Sequence, residues 1–277
     1  IASAPLFAQG GLNLVWCGMT PLYWGSLFAK SSFPTLQERN TSTMKSSEDV
    51  IRPGMFGNFG PSADTRRIEF DIKNSAAVCS ETPVDIVLAG DSIIHFWDEN
   101  IYFKDRGVVL NRGIGGDQAQ VLERRLEADV IQLHPRVCVL MIGVNNTWAI
   151  LDGPNCTDGF YDEQLICGWV LYLKMCYQRM LHALKKSGIA CVLCSLLPMN
   201  DPVPTYLARS RAAARANQML RQLAAEEGCA FADFYDALTG EDGETLRSNL
   251  SWDGIHPHHA GYSIMMNILN PILDTLL

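Results

Sequence analysis

From Val84 onward the chain alternates short apolar runs, rich in β-branched residues, with longer stretches of helical period. No other feature constrains its fold so tightly. "VDIVLAG", "GVVLNRG", "RVCVLMIG", "GIACVLCSLLP" and the weaker "CAFADFY" read as five strands. Between the second and third, Val121, Leu122, Leu126, Val130 and Leu133 recur at helical spacing. Residues 161–186 predict a longer helix closed by Gly188, and the Ala- and Arg-rich "TYLARSRAAARANQMLRQLAAEEG" predicts another. "HAGYSIMMNILNPILDTLL" reads as a last helix, interrupted at Pro271. Such alternation implies a parallel sheet covered on both faces. The expected fold is α/β: a flavodoxin-like three-layer α/β/α sandwich with a five-stranded parallel sheet and right-handed crossovers.

The pattern divides the chain near residue 80. Residues 81–277 carry the α/β domain. Residues 1–80 are a different kind of sequence. "PLYWGSLFAKSSFP" and "RPGMFGNFGPS" are rich in aromatics, Gly and Pro and have no clean period. They predict an irregular or partly β N-terminal extension lying over the α/β domain near its pocket. Tyr23, Trp24, Phe56 and Phe59 are the extension's candidates for a pocket wall.

Composition narrows the partners. Charged residues are 19% of the chain and the net charge is −8, so there is no electrostatic footprint for nucleic acid or an anionic membrane. No apolar run is long enough to predict a membrane helix. There are nine cysteines, several inside apolar runs where a thiol acts as a small hydrophobe. In a chain of this size an odd count favours a reducing compartment, and a cytoplasmic location is the expectation. Cys191 and Cys194 form a C-x-x-C pattern, but in a strand residues three apart face opposite ways, which argues against a redox or metal role.

In open α/β sheets, ligands bind beyond the carboxyl ends of the strands. The first strand is followed by Gly90-Asp91-Ser92, and the second by "NRGIGGD" with Gly116. The third is followed by "GVNN" with Asn145. "WDGIHP", with Asp253 and His256, precedes the last helix. All should meet at one sheet edge, and each suits acyl transfer. Ser92 is a nucleophile if His256 takes its proton, and Asp253 is placed to bind the other ring nitrogen. The Gly116 amide, the Asn145 side chain and the Ser92 amide form an oxyanion hole. Asn145 is also a glycosylation sequon, a use that excludes this role. Asp91, Trp97 and Trp148 flank these segments and are further substrate-site candidates, with core packing the default for the two tryptophans; Asp91 also suits a structural bond to the turn, and Asp117 a cap on the next helix. "DGIHPHH" matches no common metal spacing, so neither metal nor cofactor is expected.

These four segments, in this order, resemble the SGNH (GDSL-type) hydrolase family. Ser92, Gly116, Asn145 and His256 fall on its namesake positions. "NRGIGGD" and "GVNN" are most similar to the platelet-activating-factor acetylhydrolase catalytic subunits and bacterial carbohydrate acetylesterases of that family. The sequence departs from many members in Ile93, where Leu commonly follows the serine, and residues 1–80 match no part of the family. The resemblance covers about residues 82–277. It implies a flavodoxin-like fold and metal-free ester hydrolysis, often of small acyl groups.

The expected activity is therefore that of a serine esterase for short-chain, chiefly acetyl, esters, with O-acetyl groups on carbohydrates as the preferred substrate. A lipid-directed acylhydrolase (a lysophospholipase or thioesterase), a silent carbohydrate-binding protein and an O-acetyltransferase are the alternatives. The partner expected is a small-molecule or glycan ester.

Overall fold

A computed structural model describes residues 46, 48–53, 60–150, 163–202 and 206–277. The segment from Thr43 to Leu277 is one compact unit. Tyr23, Trp24, Phe56 and Phe59 lie outside the described residues.

The elements follow in chain order as α1 (Gly60–Cys79), β1 (Ile86–Gly90), α2 (Ser92–His95), α3 (Glu99–Tyr102), β2 (Val109–Gly113) and α4 (Ala119–Asp129). After these come β3 (Val137–Met141), α5 (Glu163–Lys186), β4 (Ala190–Cys194), α6 (Tyr206–Glu227), β5 (Ala230–Ala232), α7 (Tyr235–Leu238) and α8 (His259–Leu276). The five strands are all parallel, in the order β2-β1-β3-β4-β5. This is the flavodoxin-like order, with the switch point between β1 and β3. All five residues of β1 and of β3 are buried, as a sheet covered on both faces requires. Helices α1, α4, α5 and α6 stand side by side in one row, and α8 packs against β5 and α7.

Three local features differ from the sequence expectation. Residues 60–79, within the stretch expected to be irregular or partly β, form the helix α1. Helix α8 runs unbroken through Pro271. That proline is exposed, so the carbonyl that loses its amide partner can be solvated. Asp117 does not cap α4; the side-chain oxygen of Asn146 accepts the Ala119 amide at 2.9 Å instead. Asp117 turns inward and accepts from Arg125 Nε at 2.7 Å.

Cys191 and Cys194 are buried in β4, and every cysteine among the described residues is an unpaired thiol. Burial pushes the Cys138 thiol up to about 12, so it behaves as a core hydrophobe. No helix among the described residues is long and apolar enough to cross a membrane.

Candidate active site

Strand β1 delivers Ser92 to the carboxyl edge of the sheet as the first residue of the single-turn helix α2. Gly90 has to be glycine, because a Cβ there would lie 2.1 Å from the Met141 carbonyl. The Asp91 side chain caps the turn, accepting the Ile93 amide at 3.0 Å. Asp91 was a candidate for binding substrate; the structure buries it to 1% exposure and turns it onto backbone. Burial pushes its carboxyl up to about 7, against the pull of amide hydrogen bonds from Ile93 and Gly143.

The segment after the 3-10 turn Ser248–Leu250 closes on itself through a bridge between Ser251 and Pro257. One oxygen of Asp253 accepts the amides of Ile255 and His256, at 3.0 and 2.8 Å, and the Ser251 hydroxyl at 3.0 Å. The other lies 2.5 Å from His256 Nδ1. Partial burial raises the Asp253 carboxyl, but the His256 ring and the two amides outweigh it and hold the group well below the usual carboxylate range. Gly254 has φ +80, and a Cβ would meet the backbone of Asn200 and Asp201 within 2.5 Å. Only glycine fits this turn. On the far side of the ring, His256 Nε2 lies 2.8 Å from Ser92 Oγ. Phe96 packs edge-on against the same ring, centroids 5.2 Å apart.

Ser92, Gly116, Asn145 and His256 line one cavity of about 290 Å³, together with Phe96, Val144, Trp148, Arg209 and Ile255. Gly116 has φ +82 and nothing within 4 Å of where a Cβ would stand, so its backbone is open to the cavity. The Asn145 side-chain amide donates to the Asp117 main-chain carbonyl at 3.0 Å. That bond uses one of its two N–H groups and fixes the plane of the other. A second cavity, of about 460 Å³, lies across Phe96 and His256 and includes Ile101, Tyr102, Trp252 and His259.

The two flanking tryptophans part company. Trp148 lines the cavity and is 39% exposed. Trp97 is fully buried, stacked on Tyr262 with centroids 5.5 Å apart and edge-on to Phe103 and Phe234. Helix α2 is one turn long, so the chain dives into the core before Trp97. It is a core residue and does not touch substrate space.

Arg209 is the residue that sequence reading passed over. It is buried, donates to Asp201 at 2.8 Å and Thr147 at 3.0 Å, and stacks over the Trp148 ring at 3.7 Å. Its signal was weak, because it is one of several arginines in an Ala-rich helix. The histidines after His256 have other partners: His258 accepts the Ala260 amide, and His259 Nδ1 lies 3.1 Å from the Tyr102 hydroxyl. Among the described residues no group of three or more His, Cys, Asp or Glu is arranged to hold a metal.

Residues 89–264 match the model of the GDSL-like lipase/acylhydrolase family. An acetylxylan esterase from Geobacillus stearothermophilus is 28% identical over 163 residues, spanning 57% of this chain and 68% of the relative. Among solved structures, a GDSL-like lipase from Bacteroides thetaiotaomicron superposes with a TM-score of 0.63 at 23% identity, covering 76% of this chain and 98% of that one. An acetyl-xylooligosaccharide esterase from Geobacillus does so with a TM-score of 0.52 at 20% identity, covering 69% and 94%. These two structures share the fold. With the family model spanning well over half its length, the chain belongs to the GDSL-like lipase/acylhydrolase family.

Proposed function

We propose that the protein is a serine esterase that removes short acyl groups, chiefly acetyl, from carbohydrate esters. The observation that carries this reading is the line Ser92 Oγ, His256 Nε2, His256 Nδ1, Asp253 Oδ2, with spacings of 2.8 and 2.5 Å, opening on a cavity beside Gly116 and Asn145.

Each residue has a step in the reaction. Ser92 Oγ attacks the ester carbonyl carbon as His256 Nε2 takes its proton. The carbonyl oxygen becomes an oxyanion facing the Ser92 and Gly116 amides and the second N–H of Asn145. Asp253, held ionised, orients the imidazole and stabilises the imidazolium. Collapse breaks the bond to the alcohol oxygen, which His256 protonates. Water then enters, gives its proton to His256 and releases the acid from the acyl-serine.

The small cavity supports the short acyl group, and the acetylxylan esterase relative supports the carbohydrate. One observation favours a lipid-directed reading instead: Phe96, Ile101 and Trp252, all exposed, border the second cavity.

The deciding experiment measures acetate release from a panel of acetylated glycans, with Ser92→Ala as the blank, beside p-nitrophenyl esters from acetate to octanoate. Acetate release by wild type alone, with activity falling as the chain lengthens, supports the proposal. Rates that rise with chain length, and no acetate from any glycan, overturn its substrate class.

A further inference from the structure

Helix α1 lies N-terminal to the matched family region, yet it reaches into the segment that carries the candidate oxyanion donors. Phe70 of α1 is 1% exposed and packs on Ile114, two residues before Gly116. Arg66 Nε donates to the Gly113 carbonyl at 2.7 Å, at the point where β2 becomes that loop. The guanidiniums of Arg66, Arg67 and Arg112 all lie over the Phe70 ring, 4.9 to 5.7 Å from its centroid.

A chain of buried charges makes the third connection. Arg67 pairs with both Asp71 and Asp129. Asp129 in turn accepts from Arg125 Nη1 at 2.9 Å. Arg125 donates to the Asp117 carboxylate at 2.7 Å, to the Arg112 carbonyl at 2.8 Å and to the Gly90 carbonyl at 3.0 Å. Gly90 stands two residues before Ser92, and the main-chain carbonyl of Asp117 is the group that holds Asn145. Asn74 of α1 adds bonds to the Ala128 carbonyl and the Asp129 carboxylate, at 2.9 and 3.0 Å. One buried network thus runs from α1 to the backbone beside Ser92 and Gly116 and to the carbonyl that orients Asn145.

We propose that α1 is a brace for the oxyanion hole, with Arg66, Arg67 and Phe70 as positioning residues that hold the loop from Gly113 to Asp117 in register with Ser92. The proposal rests on the esterase reading for its kinetic consequence, but the mechanical coupling stands apart from it. Ground-state substrate binding does not need three donors aimed at an oxyanion, whereas turnover does. Loosening the brace therefore lowers kcat and leaves KM nearly alone.

The test uses the full chain with Arg66→Met, which removes the bond to Gly113 from a half-buried side chain, and Arg67→Met, which opens the buried chain. Arg66→Lys is the conservative control. Turnover of p-nitrophenyl acetate is measured beside hydrogen exchange of peptides spanning residues 113–118. The expected result is a kcat lower by about 5- to 50-fold, part of the loss for a missing donor, with KM within about twofold. Exchange at 113–118 becomes faster, and Arg66→Lys recovers part of both. If Arg67→Met does not fold, Arg66→Met decides. Wild-type kcat and wild-type exchange in a folded Arg66→Met protein overturn the proposal, even where its Tm falls, since α1 is then only a stabilising helix. If the wild type cleaves no ester, the esterase reading fails by itself, and the exchange measurement still decides the coupling.

Discussion

Asp253 divides its two oxygens: one collects two backbone amides and the Ser251 hydroxyl, and the other faces His256 Nδ1 at 2.5 Å. The carboxylate is thus fixed by its own turn before it meets the imidazole. In Asp253→Asn the backbone bonds to the amide oxygen can persist, but the NH2 then points at Nδ1. The imidazole proton is forced onto Nε2, facing Ser92, where it cannot act as a base. On the proposed mechanism kcat falls by about 1,000- to 10,000-fold with little change in KM. Steady-state kinetics on p-nitrophenyl acetate check this; a loss below tenfold would remove Asp253 from the mechanism.

Two of the three oxyanion candidates fail differently. Asn145→Ala removes a donor and is expected to lower kcat by about 100-fold or more, leaving the fold intact. Gly116→Ala meets no atom within 4 Å, so its cost is the backbone at φ +82, about 1–2 kcal/mol. Thermal unfolding should therefore show a larger Tm drop for Gly116→Ala than for Asn145→Ala, which loses one bond to the Asp117 carbonyl. The opposite order would contradict the geometry.

Trp148 walls the cavity and is held flat by Arg209 at 3.7 Å. Trp148→Ala should enlarge the acyl space and raise the ratio of butyrate to acetate turnover by about tenfold, the scale of one or two methylenes. An unchanged ratio would place the acyl group elsewhere.

Asp91 supplies a pH signature. Burial lifts its native carboxyl to about 7 from an ordinary 3.8, so between these values the native state keeps a proton that the unfolded chain has released. Its contribution to stability is full below pH 3.8 and is lost as pH rises through 7. Urea unfolding of the wild type should lose on the order of 4 kcal/mol from this group between about pH 4 and 8. The same curve for Asp91→Asn should be flatter by that amount, and parallel curves would refute the assignment.

The strands and the convergence of Ser92, Gly116, Asn145 and His256 were legible because both follow from local pattern. A β-rich apolar run fixes a strand, and in a parallel sheet the strand's end fixes the edge on which the next residue lies. Helix α1 was not legible. "TRRIEFDIKN" alternates charge with apolar residues as a solvated segment would, and nothing local reveals that the partner of Arg67 is Asp129 or that Phe70 meets Ile114. Trp97 was undecided for a related reason: nearness to Ser92 in sequence kept a pocket role open beside the default of core packing, while the three aromatic neighbours that place it in the core come from residues 103, 234 and 262. Arg209 could be told from Arg211 and Arg215 only by where α6 places it.

The candidate nucleophile and its base stand 164 residues apart along the chain, yet their side chains touch. During synthesis Ser92, Gly116 and Asn145 emerge long before Asp253 and His256. Until the last segment docks, with the Tyr262 hydroxyl on the Ile93 carbonyl at 2.7 Å, the nascent protein carries an inert alcohol. On the proposed mechanism, turnover then reports that β1 and α8, the two extremities of the α/β body, have found each other.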